Sequence, residues 1–227
     1  MIAITGIGWI TIKEYGCVLK KLQWDYPDMK SLYSCLQQES VFLSPVKNFG
    51  RFDRVSKLTC LTAALALHDA GIPYSKDRKQ DIGILGTNIA GCLQSNVRYF
   101  KDYVESGRTL ARGNLFIYTL PSTPFAEAAI YFGFQGPLLY MAFPHHGAGT
   151  LLRCAWNMIE RRETPAMMAM IADETEAVCF SLAQQDDVSS SDKVWKFDDA
   201  LNSIGEMFCI EEIVNKCIET VSCKGGY

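Results

Sequence analysis

The sequence predicts an α/β domain, with a mostly parallel central sheet flanked by helices. Three observations carry that prediction. Short, nearly all-apolar runs recur at residues 2–8, 81–86, 138–143 and 166–172, as expected of strands buried within a domain. Between them lie longer stretches with apolar residues at helical spacing. Strand and helix patterns alternate along the chain, an order that yields parallel strands joined by crossover helices.

Taken in order, Ile2-Ala3-Ile4-Thr5-Gly6-Ile7-Gly8 is a β-branched run ending in glycines and reads as the first buried strand. Residues 11–44 are mixed, with a helix expected around 31–38. Arg51-Phe52-Asp53-Arg54 leads into a helix over 55–70, where Leu58, Leu61, Ala64 and Leu65 fall at helical spacing and Gly71 stands at the C-cap position. Residues 81–86 make a second strand that runs into a turn. Residues 96–105 predict a helix, followed by a loop punctuated by Gly107 and Gly113. A helix over 125–132 closes at Gly133 and Gly136-Pro137, and a third strand covers 138–143.

Residues 147–161 form an amphipathic helix, with Leu151, Leu152, Ala155, Met158 and Ile159 inside and Arg153, Glu160 and Arg161 outside. After Thr164-Pro165, the continuous apolar run 166–172 suits a strand covered on both faces, and Met167, Met168 and Met170 read as its packing. Residues 186–193 are a polar loop. The last segment sets Ile210, Ile213, Val214, Cys217, Ile218 and Val221 on one face, as a terminal docking helix. With no internal repeat and no composition break, one domain is expected over residues 1–227.

Composition excludes several classes. Of 227 residues, 48% are hydrophobic and 21% charged, which separates the chain from disordered and fibrous sequences. A net charge of −3 argues against non-specific nucleic-acid binding. No apolar run reaches the roughly 18 residues that a membrane span needs, and the opening Met1-Ile2-Ala3-Ile4-Thr5-Gly6 does not read as a signal peptide. The nine cysteines are scattered without a C-x-x-C pair, as reduced thiols are in a cytoplasmic protein. With only His68, His145 and His146 as histidines, neither a metal site nor a cofactor is expected. Gly83, Gly86 and Gly91 lack dinucleotide-binding spacing, and His68 reads as a core or boundary residue of its helix.

Several stretches, in order, resemble the amino-terminal half of a β-ketoacyl synthase, the thiolase-like condensing enzyme of fatty-acid and polyketide assembly. They are Ile4-Thr5-Gly6-Ile7-Gly8; Gly50-Arg51-Phe52-Asp53-Arg54 with the alanine-rich helix to Asp69-Ala70-Gly71; Asp81-Ile82-Gly83-Ile84; Leu120-Pro121-Ser122; and Gly136-Pro137 before a strand, a turn and a long helix ending in Ala172-Asp173-Glu174. The resemblance spans roughly residues 1–175, and residues 176–227 are expected to be a loop and a docking helix without family motifs. It implies half of a thiolase-like fold.

In that family Gly-Pro is followed by seven residues and then the nucleophilic cysteine. Here residues 138–144 are the seven, and the next residue is His145, followed by His146-Gly147-Ala148-Gly149. An imidazole does not hold an acyl chain as a durable thioester the way a thiolate does. The resemblance places two further catalytic histidines in a second half, yet the sequence has no histidine beyond His146. No catalytic residue is therefore expected, and the chain alone is not expected to condense acyl groups. It looks most like the inactive, half-length chain-length factors associated with aryl polyene synthesis. The resemblance implies an active β-ketoacyl synthase as heterodimer partner, and acyl carrier protein reached through that complex.

Each candidate residue carries two readings. His145 and His146 either line a residual site at a helix N-terminus or fill the space left by the cysteine. Leu138, Leu139, Tyr140, Met141 and Phe143 form a dimer interface, by the resemblance, or an ordinary central strand. By the resemblance, Leu115, Phe116 and Tyr118 reach the partner's acyl tunnel and gate it by volume exclusion; otherwise they are core or interface residues without that duty. Lys20, Lys21, Arg51, Arg54, Lys57, Arg161 and Arg162 greet an acidic carrier protein or simply face solvent. Two alternatives to the chain-length factor stay open: an acyl-carrier decarboxylase or acyltransferase using His145 or His146, and a homodimeric module that binds acyl chains or carrier protein.

Overall fold

The computed structural model describes residues 1–42, 45–74, 78–109, 112–142, 147–184 and 194–223. Phe143, His145, His146 and the polar loop over 186–193 lie outside them. Strand β1 (Ile2–Ile10) is followed by two short strands, β2 (Glu14–Cys17) and β3 (Leu22–Asp25), and by helix α1 (Met29–Gln38). The Asp28 carboxylate caps α1 by accepting the Lys30 and Ser31 N–H groups at 2.7 and 3.0 Å. Helix α2 (Arg54–Ala70) starts in the same way: Asp53 accepts the Ser56 N–H at 2.8 Å. It stops where Gly71 takes a left-handed φ of 67°.

Next come β4 (Ile82–Thr87), α3 (Leu93–Glu105) and α4 (Gly113–Phe116). A 3-10 turn (Ile117–Thr119) leads from there into α5 (Thr123–Phe132) and β5 (Leu138–Tyr140). Helix α6 (Ala148–Glu160), β6 (Ala166–Ala172), β7 (Ala177–Gln184), β8 (Trp195–Lys196), α7 (Phe197–Ile204) and α8 (Ile210–Cys223) complete the described chain.

The strands join one eight-stranded sheet in the order β3-β2-β1-β7-β6-β4-β5, with β8 added on β1. Along the path β5-β4-β6-β7-β1, four strands run one way and β7 alone runs against them. The expectation of a mostly parallel sheet thus holds for direction along that path but not for neighbours. β7 is antiparallel to both β6 and β1, because only residues 173–176 join it to β6 and so short a link cannot cross over. The β2 and β3 hairpin strands, and β8, add antiparallel pairs that the sequence analysis did not anticipate. Nor is the segment beyond 176 only loop and docking helix. It begins with a fully internal strand, β7, and includes α7.

Helices cover both faces of the sheet. One core packs α1, α2 and α5 against it, around Leu32, Leu58, Leu61, Phe125 and Phe132. The other packs α6, α7 and α8, around Leu151, Leu152, Ile204, Ile213 and Val214. Each such aliphatic side chain taken fully out of water contributes about 1.5–3 kcal/mol. Gly6 and Gly8 let α2 lie directly on β1: a Cβ at Gly6 would stand 2.6 Å from the Ala70 nitrogen, and one at Gly8 2.6 Å from the Thr62 oxygen.

Candidate functional site

Strand β5 ends the sheet. It pairs only with β4, matching Leu138 to Ile84, Leu139 to Leu85 and Tyr140 to Gly86, and its other edge meets no strand among the described residues. The expected strand over 138–143 is shorter than predicted, although the Met141 N–H still donates to Gly86 O at 2.9 Å. Leu138, Tyr140 and Met141 are half-buried, and Leu139 is 46% exposed. A groove of about 440 Å³ flanks the strand on the α5 side, lined by Ala126, Ile130, Phe134 and Leu138. Another of about 420 Å³ lies on the α6 side, lined by Leu139, Met141, Cys154 and Met158. Ile130 on the first groove is 76% exposed. An apolar strand edge with open grooves on both sides is a template for another chain.

The proposed gate residues sit together on α4 and the 3-10 turn. Leu115 and Tyr118 are half-buried and Phe116 is 52% exposed, its ring set edge-on to Tyr99 of α3 at 5.6 Å. Burial, with Glu127 and Asp53 nearby, pushes the Tyr118 hydroxyl up to about 12. Helix α5 connects this region to β5: it begins just after Leu120 and carries Ile130 to the groove.

Helix α3 contributes what the sequence analysis missed. Leu93, Val97, Phe100 and Val104 fall at i, i+4, i+7 and i+11, on one face, and all four are exposed, Phe100 to 65%. Ser95 is the only buried residue of the helix. Polar ties hold α3 in place instead. The Ser95 hydroxyl donates to Asp53 at 2.8 Å, and the Arg112 Nε donates to Asp102 at 2.8 Å. The spacing alone was a legible signal for an apolar stripe.

The carboxyl ends of β4, β5 and β6 meet in a polar cluster, where ligands commonly bind in sheets of this class. The Tyr140 hydroxyl donates to Asn88 Oδ1 at 3.0 Å, and Asp173 accepts the Ile89 N–H at 3.0 Å. Burial raises the Asp173 carboxyl against the pull of that N–H and of the Ala90 N–H. The segment with His145 and His146 follows β5 and precedes α6, and its structure lies outside the described residues.

Beyond it, α6 starts from Gly147, whose φ is 70°. A cleft of about 930 Å³ runs beside its first turns, lined by Thr150, Arg153, Asn202, Glu206 and Phe208 among others. The basic residues do not form a single patch. Arg51, Arg54 and Lys57 lie around the start of α2, Lys20 and Lys21 at the turn between β2 and β3, and Arg161 and Arg162 after α6. His68 is half-buried on α2, and burial lowers its pKa. Met167, Met168 and Met170 are fully buried in β6. No group of three metal-ligating side chains occurs among the described residues.

No family model matches the chain, and no curated protein does. Solved structures do. A β-ketoacyl synthase from Burkholderia phymatum STM815 superposes with a TM-score of 0.55 at 15% identity, over 81% of this chain and 59% of that one. The ishigamide ketosynthase/chain length factor matches with a TM-score of 0.55 at 13% identity, over 83% of this chain and 63% of that one. The AntDE:AntF complex, a type II polyketide acyl-carrier protein with its ketosynthase bound to the hexaketide, gives 0.54 at 9% identity, over 81% and 58%. At these identities the likeness establishes the fold: half of a thiolase-like ketosynthase fold, in a chain that spans about three-fifths of the length of these neighbours. No helix among the described residues is long and apolar enough to cross a membrane.

Proposed function

We propose that this chain is a non-catalytic, ketosynthase-like subunit, a chain-length factor that pairs with an active β-ketoacyl-ACP synthase. Its setting would be a cytoplasmic type II fatty-acid or polyketide system of the aryl polyene kind. The observation that carries this reading is the set of exposed apolar side chains on α3 and the segments before and after it: Ile89, Leu93, Val97, Phe100, Val104, Phe116, Ile117 and Leu120. These eight residues are each about half exposed, more apolar surface than a solvent-facing helix and turn ordinarily present. The open edge of β5, at Leu138 and Leu139, adds a second apolar element joined to the first through α5.

In this reading α3 and β5 are covered by the synthase, and Leu115, Phe116 and Tyr118 reach its acyl tunnel. Phe116 is the gate residue, because it is exposed on the surface assigned to the partner yet braced by Tyr99. The replacement of the nucleophilic cysteine by His145 supports a structural and not a chemical role. Carrier protein would reach the complex through the synthase.

Capture of the tagged chain from its source organism, with native mass measurement, tests the pairing. A one-to-one complex with a cysteine-bearing synthase is expected. Recovery of the chain only with itself would overturn the heterodimer in favour of a homodimeric module. In the reconstituted pair, Phe116→Ala should extend the product distribution to longer chains, and an unchanged distribution would remove the gating role.

A further inference from the structure

Helix α3 has two working faces. The apolar stripe of Leu93, Val97, Phe100 and Val104 is exposed. Cys92 at the N-cap, Ser95, Tyr99 and Asp102 stand at i, i+3, i+7 and i+10, on a side roughly 150° away around the helix. Each of these four holds something. Ser95 donates to Asp53 on the body of the domain. The other three reach the segment that carries Leu115 and Phe116. The Cys92 thiol donates to Thr119 O, the Tyr99 ring lies edge-on to Phe116, and Asp102 takes Arg112.

The Asp102 tie is the most complete. Its Oδ1 accepts the Arg112 Nε at 2.8 Å and pairs with a terminal guanidinium nitrogen at 2.6 Å, while Oδ2 accepts the Arg112 backbone N–H at 3.1 Å. Three donors on one carboxylate fix both the side chain and the backbone of Arg112. Arg112 is in turn the N-cap residue of α4, and its carbonyl accepts the Leu115 and Phe116 N–H groups at 2.9 and 3.4 Å. Helix α4 is a single turn with no buried residue, too short to be stable by itself. It stands where Arg112 puts it.

We infer that Asp102 is a positioning residue for the gate, and that α3 couples docking to gating. A partner held on the outer face of α3 fixes, through Asp102 and Tyr99 on the inner face, where Leu115 and Phe116 stand. The inference rests on the proposed function in taking Phe116 as the gate and the apolar stripe as the docking surface.

Asp102→Ala in the full chain tests it. Amide exchange over residues 112–119 should rise at least about tenfold over the parent, with the amides of α2 unchanged. The variant should bind an active β-ketoacyl synthase within about threefold of the parent. Products of the reconstituted pair should lengthen as they do with Phe116→Ala, and the double variant should shift no further. Unchanged exchange over 112–119 would overturn the positioning role. So would unchanged products where Phe116→Ala shifts them, or a double variant whose shift is the sum of the two. A loss of affinity beyond about tenfold would place Asp102 in the interface and overturn it as well.

If Asp102→Ala does not fold, Arg112→Ala, at a side chain 67% exposed, answers the same question. Failure of the parent to bind synthase, or products unchanged by Phe116→Ala, would sink the proposed function and the coupling with it. Exchange over 112–119 would then still decide whether Asp102 holds α4.

Discussion

The carboxylate of Asp69, on the last turn of α2, accepts the backbone N–H of Ile7 in β1 at 2.7 Å. The same oxygen accepts the Leu19 N–H at 3.0 Å, and the other oxygen accepts the Lys20 N–H at 2.8 Å. One buried side chain thus fastens the helix to the first strand and to the β2–β3 turn, where no ladder bond is available to those donors. Asp69→Asn keeps the shape but turns one acceptor into a donor facing an N–H. It should cost about 1–3 kcal/mol in urea unfolding, with the slope of the transition unchanged. A loss below about 0.5 kcal/mol would show that these three bonds contribute little.

The stripe on α3 makes the opposite prediction, an effect on association without one on stability. Phe100→Asp, placed where the ring is 65% exposed, should leave stability within about 0.5 kcal/mol of the parent. Synthase affinity measured by calorimetry should fall by tenfold or more, as loss of an aromatic anchor commonly does. Equal affinity for parent and variant would remove α3 from the interface.

Two tyrosines add to an alkaline limit that they share with the thiols of Cys17, Cys60, Cys179 and Cys217, which burial also pushes up. Burial pushes the hydroxyls of Tyr15 and Tyr118 up to about 12, so the folded chain keeps both protons where the unfolded chain has begun to lose them. Stability from these groups is therefore intact below pH 10 and declines as pH rises from 10 towards 12. Unfolding followed across that range should show the decline, and Tyr15→Phe should make it shallower by that one group's share. A parent whose stability is constant from pH 9 to 12 would contradict the assignment.

Much of this architecture is legible in the sequence because its signals are local. The run 166–172 becomes β6 with the same bounds, since a strand covered on both faces needs nothing but apolar residues. Helices α2 and α5 stop at Gly71 and Gly133, both with positive φ, as a glycine after a periodic stretch predicts. β2 and β3 are four residues each, too short for alternation to register. β7 is an apolar run that the family motifs, which end at Glu174, do not reach. For α3 the helix was legible over 96–105, but its outward apolar face was not. Periodicity states which residues share a side, and the rest of the fold decides whether that side is covered. The neighbourhood of β5 followed from the Gly136-Pro137 spacing, which places an apolar strand there whatever chemistry comes after it.

The reversed strand β7, lying between β1 and β6, has a consequence for how the chain is made. β1 comprises residues 2–10, but the strand that covers its flank is residues 177–184. On a ribosome working at roughly 5–20 residues per second, that flank waits on the order of ten to thirty seconds for its neighbour. During that interval one side of Ile2–Ile10 has no local segment to pair with, whatever shelter the β2 hairpin gives the other. The first strand synthesised is thus among the last to be enclosed, and a nascent chain stalled before residue 177 would present an apolar edge to chaperones.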